Sequence, residues 1–249
     1  MKRIALAGFV ALAVSGCSVV GQPENETILR VAVNASSMPF VMEALNEYEA
    51  ATPGVYFTTV ESNNSMALTA LQSGEVDFAL LFSPADTGAP FQVSVGAEAL
   101  ALVVHPDNPV SGLTMAQARS VFSGRTANWE ALGGADSSIH VVVREDDSDA
   151  RRVFQALVLG GESPASAAQV ATSSAQVLDI IENDPQAIGY VALGVLDERA
   201  RALSLNGVAP TPETIRTGDY PLVGQIMFAA QAEPEGVVGD FLSWLVARN

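Results

Sequence analysis

Two hydrophobic rhythms alternate along this chain. Short β-branched runs without strict alternation predict strands buried on both faces, and apolar residues three and four apart predict amphipathic helices between them. Leu29-Arg30-Val31-Ala32-Val33 is the first such run, and a helix follows from about Pro39 with Val41, Leu45 and Tyr48 on its inner side. Residues 55–60 predict the second strand, Leu68 and Leu71 mark a helix that ends at Gly74, and residues 76–81 predict the third strand. Residues 83–92 form a Pro/Gly-rich connection with no element, and a long apolar strand spans about 97–104. The later elements are a helix over 114–122, a strand at 141–143, a helix carrying Val153, Phe154, Leu157 and Val158, and a short strand at 169–171. A helix over 174–183, strands at 187–191 and 202–205, a short helix from Pro212, a strand at 222–229 and a helix at 235–246 complete the chain. This order predicts an α/β fold whose sheets are mainly parallel and flanked by helices. The two prolines of His105-Pro106-Asp107-Asn108-Pro109 mark a crossing between lobes. Lobe I is then 28–104 with 222–249, and lobe II is 105–221.

The stretch around which the rest is organised is His140–Leu159. Its strand ends in Arg144, passes through the polar turn Glu145-Asp146-Asp147-Ser148-Asp149, and enters a helix that Gly160 and Gly161 stop. A helix start exposes unpaired N–H groups at the positive end of its dipole, which suits an anion. Arg144 beside it adds a fixed fork of donors. Ser and Asp there also read as ordinary helix caps. The same construction of strand, hydroxyl-bearing turn and helix recurs at Ser36-Ser37 and at Asn64-Ser65. All three turns lie at the C-terminal edge of predicted parallel strands, where ligands bind in open α/β sheets.

Charge narrows the partners. The 249 residues carry a formal charge of −16, and Lys2, the only lysine, belongs with Arg3 to a leader whose removal takes the chain to −18. Such a surface repels nucleic acid and anionic membrane, and any anion site must be built from local donors. The leader spans 1–17: a basic start, an apolar stretch from Ile4 to Val14 too short to span a bilayer, and Val14-Ser15-Gly16-Cys17. This resembles a bacterial lipobox, in which Cys17 becomes the lipidated first residue. The alternative is a plain secretory signal with an incidental cysteine. Cys17 is the single cysteine, so no disulfide forms within the chain, and residues 18–27 read as a polar tether.

Several motifs together carry a family resemblance from about residue 29 to the end. They are Ser36-Ser37 after the first strand, Val76-Asp77-Phe78, Asn108 to Leu113, Phe122-Ser123-Gly124 with Asn128-Trp129, Val143 to Asp146, Ala187 to Val191, and Gly218-Asp219-Tyr220-Pro221. In these the chain resembles the periplasmic phosphate-binding proteins of phosphate ABC transporters, the PstS family. The resemblance implies a two-lobed type II periplasmic-binding fold that closes on a small oxyanion. It assigns Ser36, Ser37 and the N–H of Met38 to a first ligand loop, and Asn64 or Ser65 to a second. Arg144, Ser148, Asp149, Ala150 and Arg151 fall on a third. This chain departs from the family there: the loop's two glycines are Asp147 and Asp149, its threonine is Ala150, and a ligand position after Asp77 falls near Leu81-Phe82. Two added carboxylates disfavour a divalent anion unless they point away.

The expectation is a lipid-anchored solute-binding protein at the bacterial periplasm or cell surface, monomeric as the resembled family is. It captures an inorganic oxyanion, phosphate first, for an ABC permease, with no cofactor, metal or nucleic acid. The alternative is a PstS-like lipoprotein that has lost phosphate and serves as a sensory or protein-interaction module. Catalysis is not expected: the chain has no G-x-S-x-G elbow and no P-loop, and His105 and His140 lie far apart. The acidic run 145–149 lacks the spacing of a calcium loop.

Overall fold

A computed structural model describes residues 26–83 and 87–248. The leader and Cys17, with most of the tether, lie outside the described residues. The elements in chain order are β1 (Thr27–Asn34), α1 (Met38–Ala51), β2 (Val55–Ser62), α2 (Asn64–Ser73), β3 (Phe78–Ser83) and β4 (Phe91–Val104). Then come β5 (Gly112–Leu113), α3 (Met115–Phe122), β6 (His140–Arg144), α4 (Asp149–Phe154), β7 (Gln169–Ala171), α5 (Ser174–Asn183) and β8 (Ala187–Ala192). The last are β9 (Arg201–Ala202), β10 (Ser204–Leu205), α6 (Pro212–Arg216), β11 (Val223–Ala230) and α7 (Gly236–Arg248). Three-residue 3-10 turns at Ala35–Ser37 and Leu193–Val195 matter below.

One mixed sheet runs through the molecule in the order β2-β1-β3-β11-β4-β8-β6-β7. Its outer pairs, β1 with β2 and β3, and β6 with β7 and β8, are parallel. At its centre β11 runs antiparallel to both β3 and β4, and β4 runs antiparallel to β8. The absence of strict alternation in the strands has a direct cause. In β1, Val31 and Val33 enter a core with Leu45, Phe78, Phe228 and Phe241, while Ala32 faces the opposite core with Ala67 and Leu71. In β6, Val141 and Val143 pack with Phe122, Phe154 and Tyr190, while Val142 packs with Val177, Leu178 and Ile181 of α5. Both faces are covered there, so consecutive positions 31–33 and 141–143 are all apolar. Phe154 and Tyr190 stack with ring centroids 4.0 Å apart.

The strand at the middle is β4. Its residues Phe91–Ala99 pair with β11 and its residues Leu100–Val104 pair with β8. The change of partner thus falls inside the strand, ahead of the His105–Pro109 break that the sequence offers as the crossing. β4 also begins at Phe91, where the sequence predicts only an irregular connection up to residue 92. Its first three residues are half-buried, and so the hydrophobic signal there is weak. The strand expected at 202–205 divides into β9 and β10 on two different sheets.

Glu98 sits on β4 beside this exchange and is 7 % exposed. Burial pushes its carboxyl up from 4.5 to about 7, against the opposing pull of N–H groups from Ala99, Gly194 and Leu193. No charged group contributes to that shift. The folded chain therefore holds a proton that the unfolded chain releases between those two values. The stability this group contributes is lost as pH rises from 4.5 towards 7. The unfolding free energy should fall by about 3 kcal/mol across that window, and the slope should be missing in Glu98→Gln. Chemical denaturation at pH 5, 6 and 7 measures it, and equal slopes in both chains would remove the explanation.

Candidate functional site

The C-terminal ends of β1, β2, β6 and β7 meet at one cleft of about 340 Å³ between the two halves of the sheet. Each strand leads into a helical start capped by its own side chain. Asn34 Oδ1 accepts from the N–H of Ser36, Asn63 Oδ1 from Met66, Ser148 from Arg151, and Ser173 Oγ from Gln176. These four caps line the cleft together with Ser36, Ser62, Arg144, Thr172 and Ser174. Four carboxylates, from Glu61, Glu145, Asp147 and Asp149, line it too.

The expected residues separate by position. Ser36, Arg144, Ser148 and Asp149 line the cleft, and the other six do not. Ser37 is fully buried, and its hydroxyl donates to the carbonyl of Asn34 at 3.1 Å. The 3-10 turn inserted ahead of α1 carries this residue and Met38 away from the opening, and Met38 packs onto the core beneath α1. Ser65 faces outward, because α2 begins at Asn64 with Asn63 as its cap and Ser65 is one position further round the helix. Asn64 itself is fastened to β3: its Nδ2 donates to the Phe82 carbonyl at 2.7 Å and its Oδ1 accepts the Phe82 N–H at 3.1 Å. The Phe82 ring is fully buried over Gly224, where an added Cβ would lie 2.4 Å from it, so it does not enter the cleft. Ala150 is buried in the core of α4. Arg151 lies behind the loop, donating to the Arg144 carbonyl at 2.6 Å and pairing with Asp146 at 3.0 Å.

Arg144 is buried, and its charge is already matched. Its Nε and Nη2 donate to both oxygens of Glu145 at 2.8 and 2.7 Å, and its Nη1 donates to Ser174 Oγ at 3.2 Å. Partial burial would raise the Glu145 carboxyl, but the Arg144 hydrogen bonds and the charges of Arg144 and Arg151 outweigh it and hold the group below its ordinary value. Glu145 stays ionised at neutral pH, and any ligand of Arg144 shares it with Glu145.

Asp149 is the feature the sequence did not resolve. It is 4 % exposed and is the first residue of α4. Its carboxylate reaches across the cleft, where Oδ2 accepts from Asn34 Nδ2 at 2.6 Å and from the peptide N–H of Asn64 at 2.7 Å. Asn34 Nδ2 also donates to Asn64 Oδ1 at 2.9 Å. The Arg152 guanidinium donates to the other oxygen, Oδ1. A carboxylate from one half of the sheet thus occupies the positive end of helix α2 in the other half.

Asn34, Ser62, Thr172 and Ser173 are cleft residues that sequence reasoning missed. Thr172-Ser173-Ser174 had a readable signal, since it repeats the same turn between β7 and α5. Asn34 had only its local cap on Ser36, and its meeting with Asp149 from 115 residues away left no sign in the sequence.

Residues 20–249 match the family model of the PBP superfamily domain. The phosphate-binding protein PstS of Bacillus subtilis (strain 168) is 28 % identical over 239 residues, covering 93 % of this chain and 79 % of that protein. Among solved structures, a substrate-binding protein of the phosphate ABC transporter type from Clostridium perfringens, solved with bound phosphate, superposes with a TM-score of 0.79. It is 23 % identical and covers 88 % of this chain and 93 % of its own. An ABC-type phosphate transport receptor from Vibrio cholerae gives a TM-score of 0.70 at 21 % identity, with 89 % and 94 % covered. These likenesses show the fold.

The Asn64 side chain is expected to be structural and the Ser65 hydroxyl dispensable. Asn64→Ala leaves the buried Phe82 peptide without its side-chain partner and should cost about 2–4 kcal/mol, whereas Ser65→Ala should stay within about 0.5 kcal/mol. Denaturant titration of the two variants checks the contrast.

Proposed function

Because this chain belongs to the PBP superfamily and is PstS-like, we propose that it is a solute-binding protein that captures an inorganic oxyanion, phosphate first, and passes it to an ABC permease. It is a binding protein and not an enzyme: no bond is broken in such work. The observation that carries the reading is the donor set around Asp149. An amide N–H₂ and a helix-start peptide N–H hold a negatively charged oxygen at 2.6 and 2.7 Å, a geometry suited to any oxyanion. Ser36, Ser62, Ser148 and Ser174 bring hydroxyls to the same cleft, and Arg144 brings a guanidinium to it. Closure of the two halves around the ion removes water and strengthens each bond. We take residues 28–99 with 222–249 as lobe I and residues 100–221 as lobe II, moving the boundary from the His105–Pro109 break to the change of partner within β4.

Among the described residues no helix is long and apolar enough to cross a membrane. We place the anchor at Cys17, through a lipid attached after the leader is removed, with the protein at the periplasmic or outer face as a monomer. Cys17→Ser should then move the protein from the membrane fraction to the soluble fraction of the cell, and retention in the membrane fraction would exclude a lipid anchor.

A second reading has a specific observation behind it. Four carboxylates line the cleft and one of them already occupies the α2 start, which fits a module that keeps the fold and has lost phosphate. Thermal unfolding of the mature chain with phosphate, arsenate, sulfate and molybdate separates the two. Phosphate at a hundredfold its Kd should add about 2.7 kcal/mol, and no shift with any of the four would favour the second reading.

A further inference from the structure

We infer that Asp149 is a specificity-determining residue that acts as an internal stand-in for the anion, latching the two halves of the molecule in its absence and competing with it for Asn34 and the α2 start. This deepens the oxyanion reading above and rests on it.

The position of the carboxylate is not what capping of its own helix requires. Ser148 already caps α4, and an acidic residue in a first turn needs no further partner to be favourable. Asp149 instead turns across the cleft and is almost wholly buried there. Its three partners come from β1, α2 and α4: Asn34 Nδ2, the Asn64 N–H and the Arg152 guanidinium. Two of these lie in the half of the sheet opposite its own. A buried carboxylate is stable only while those donors stay with it. Opening the cleft would strip the carboxylate of two of them and expose the Asn64 N–H, so the latch favours the closed arrangement without any ligand.

The same contacts make the latch a filter. An oxyanion that seeks the Asn64 N–H must first displace Asp149, and it then binds next to a carboxylate that has lost its partners. Like charges at that distance disfavour each other, most strongly for a dianion. The other acidic residues of the cleft do not share this role. Glu145 is committed to Arg144, and among the described residues Glu61 and Asp147 show no hydrogen bond to the opposite half. Affinity is thereby lowered and set by how well the incoming ion outbids an internal carboxylate at the same donors.

The test uses the mature chain and its Asp149→Ala and Asp149→Asn variants, with melting curves to confirm that each folds. Asn keeps the shape and removes the charge, so one variant remains informative if Ala unfolds. Phosphate affinity is read by calorimetry, and the radius of gyration of the anion-free protein by small-angle X-ray scattering. The inference expects phosphate to bind Asp149→Ala at least tenfold more tightly than the parent, with Asp149→Asn between them, and the anion-free variants to have a larger radius than the parent. Measurable phosphate binding that is no tighter in the variants than in the parent, or an unchanged radius in both variants, overturns it. If neither parent nor variant binds phosphate while the radius still grows, the latch stands and the phosphate reading falls.

Discussion

A carboxylate from one half of this molecule is held by a peptide N–H at a helix start in the other half, and the cleft depends on that bond. The N–H of Asn64 is one of the orphan donors that every helix exposes at its beginning. Left bare in a closed cleft it would cost free energy, and an anion satisfies it at the positive end of the helix. Asp149 fills it at 2.7 Å. The surrounding bonds follow from this. Asn34 turns its amide towards both Asn64 and Asp149, and its Oδ1 caps the 3-10 turn at Ser36. Asn64, in turn, is fastened to the Phe82 peptide. Cleft and sheet edge are therefore one connected network.

The charge of the chain explains why the site is built from dipoles. Net charge of −16 gives no long-range pull on an anion. Arg144 contributes one guanidinium, and Glu145 takes two of its donor nitrogens. What remains are peptide N–H groups, amides and hydroxyls, which act only at contact. Selectivity in such a site comes from geometry and from competition with the neighbouring carboxylates. The central strand joins the two sides of that geometry. β4 gives its first nine residues to one half and its last five to the other, so the two ladders meet at Ala99–Leu100.

Most of the element pattern was open to reading along the chain, because local signals coincide there with what tertiary packing selects. Gln169–Ala171 and Ser174–Asn183 fall where the periodicity puts them. A strand covered on both faces along its length, β8, shows as an unbroken apolar run, and β1 does so at Val31–Val33. The exceptions have physical causes. β3 begins two residues later than its apolar run suggests, since Asp77 is drawn to the N–H and guanidinium of Arg30. The first half of β4 is mostly half-buried, and alternation there is blurred. In the cleft, the strand-turn-helix edges were legible because their capping residues are local. Which side chains face the opening was not, since one added 3-10 turn rotates Ser37 and Met38 away and one shift of a cap rotates Ser65 outward.

The sequence by itself determined the α/β order, the buried strands, the helix starts at Ser36, Asn64 and Ser148, the poverty in positive charge and the presence of acids at positions 147 and 149. Those are properties of neighbouring residues, and neighbours in sequence are neighbours in space. Only the tertiary structure decided that Arg144 turns to Glu145, that Arg151 supports the loop from behind, and that Asp149 crosses to Asn34 and Asn64. A side chain bonds to whatever donor the fold brings within about 3 Å, and a donor 115 residues away is invisible until the sheet has brought the two strand edges face to face.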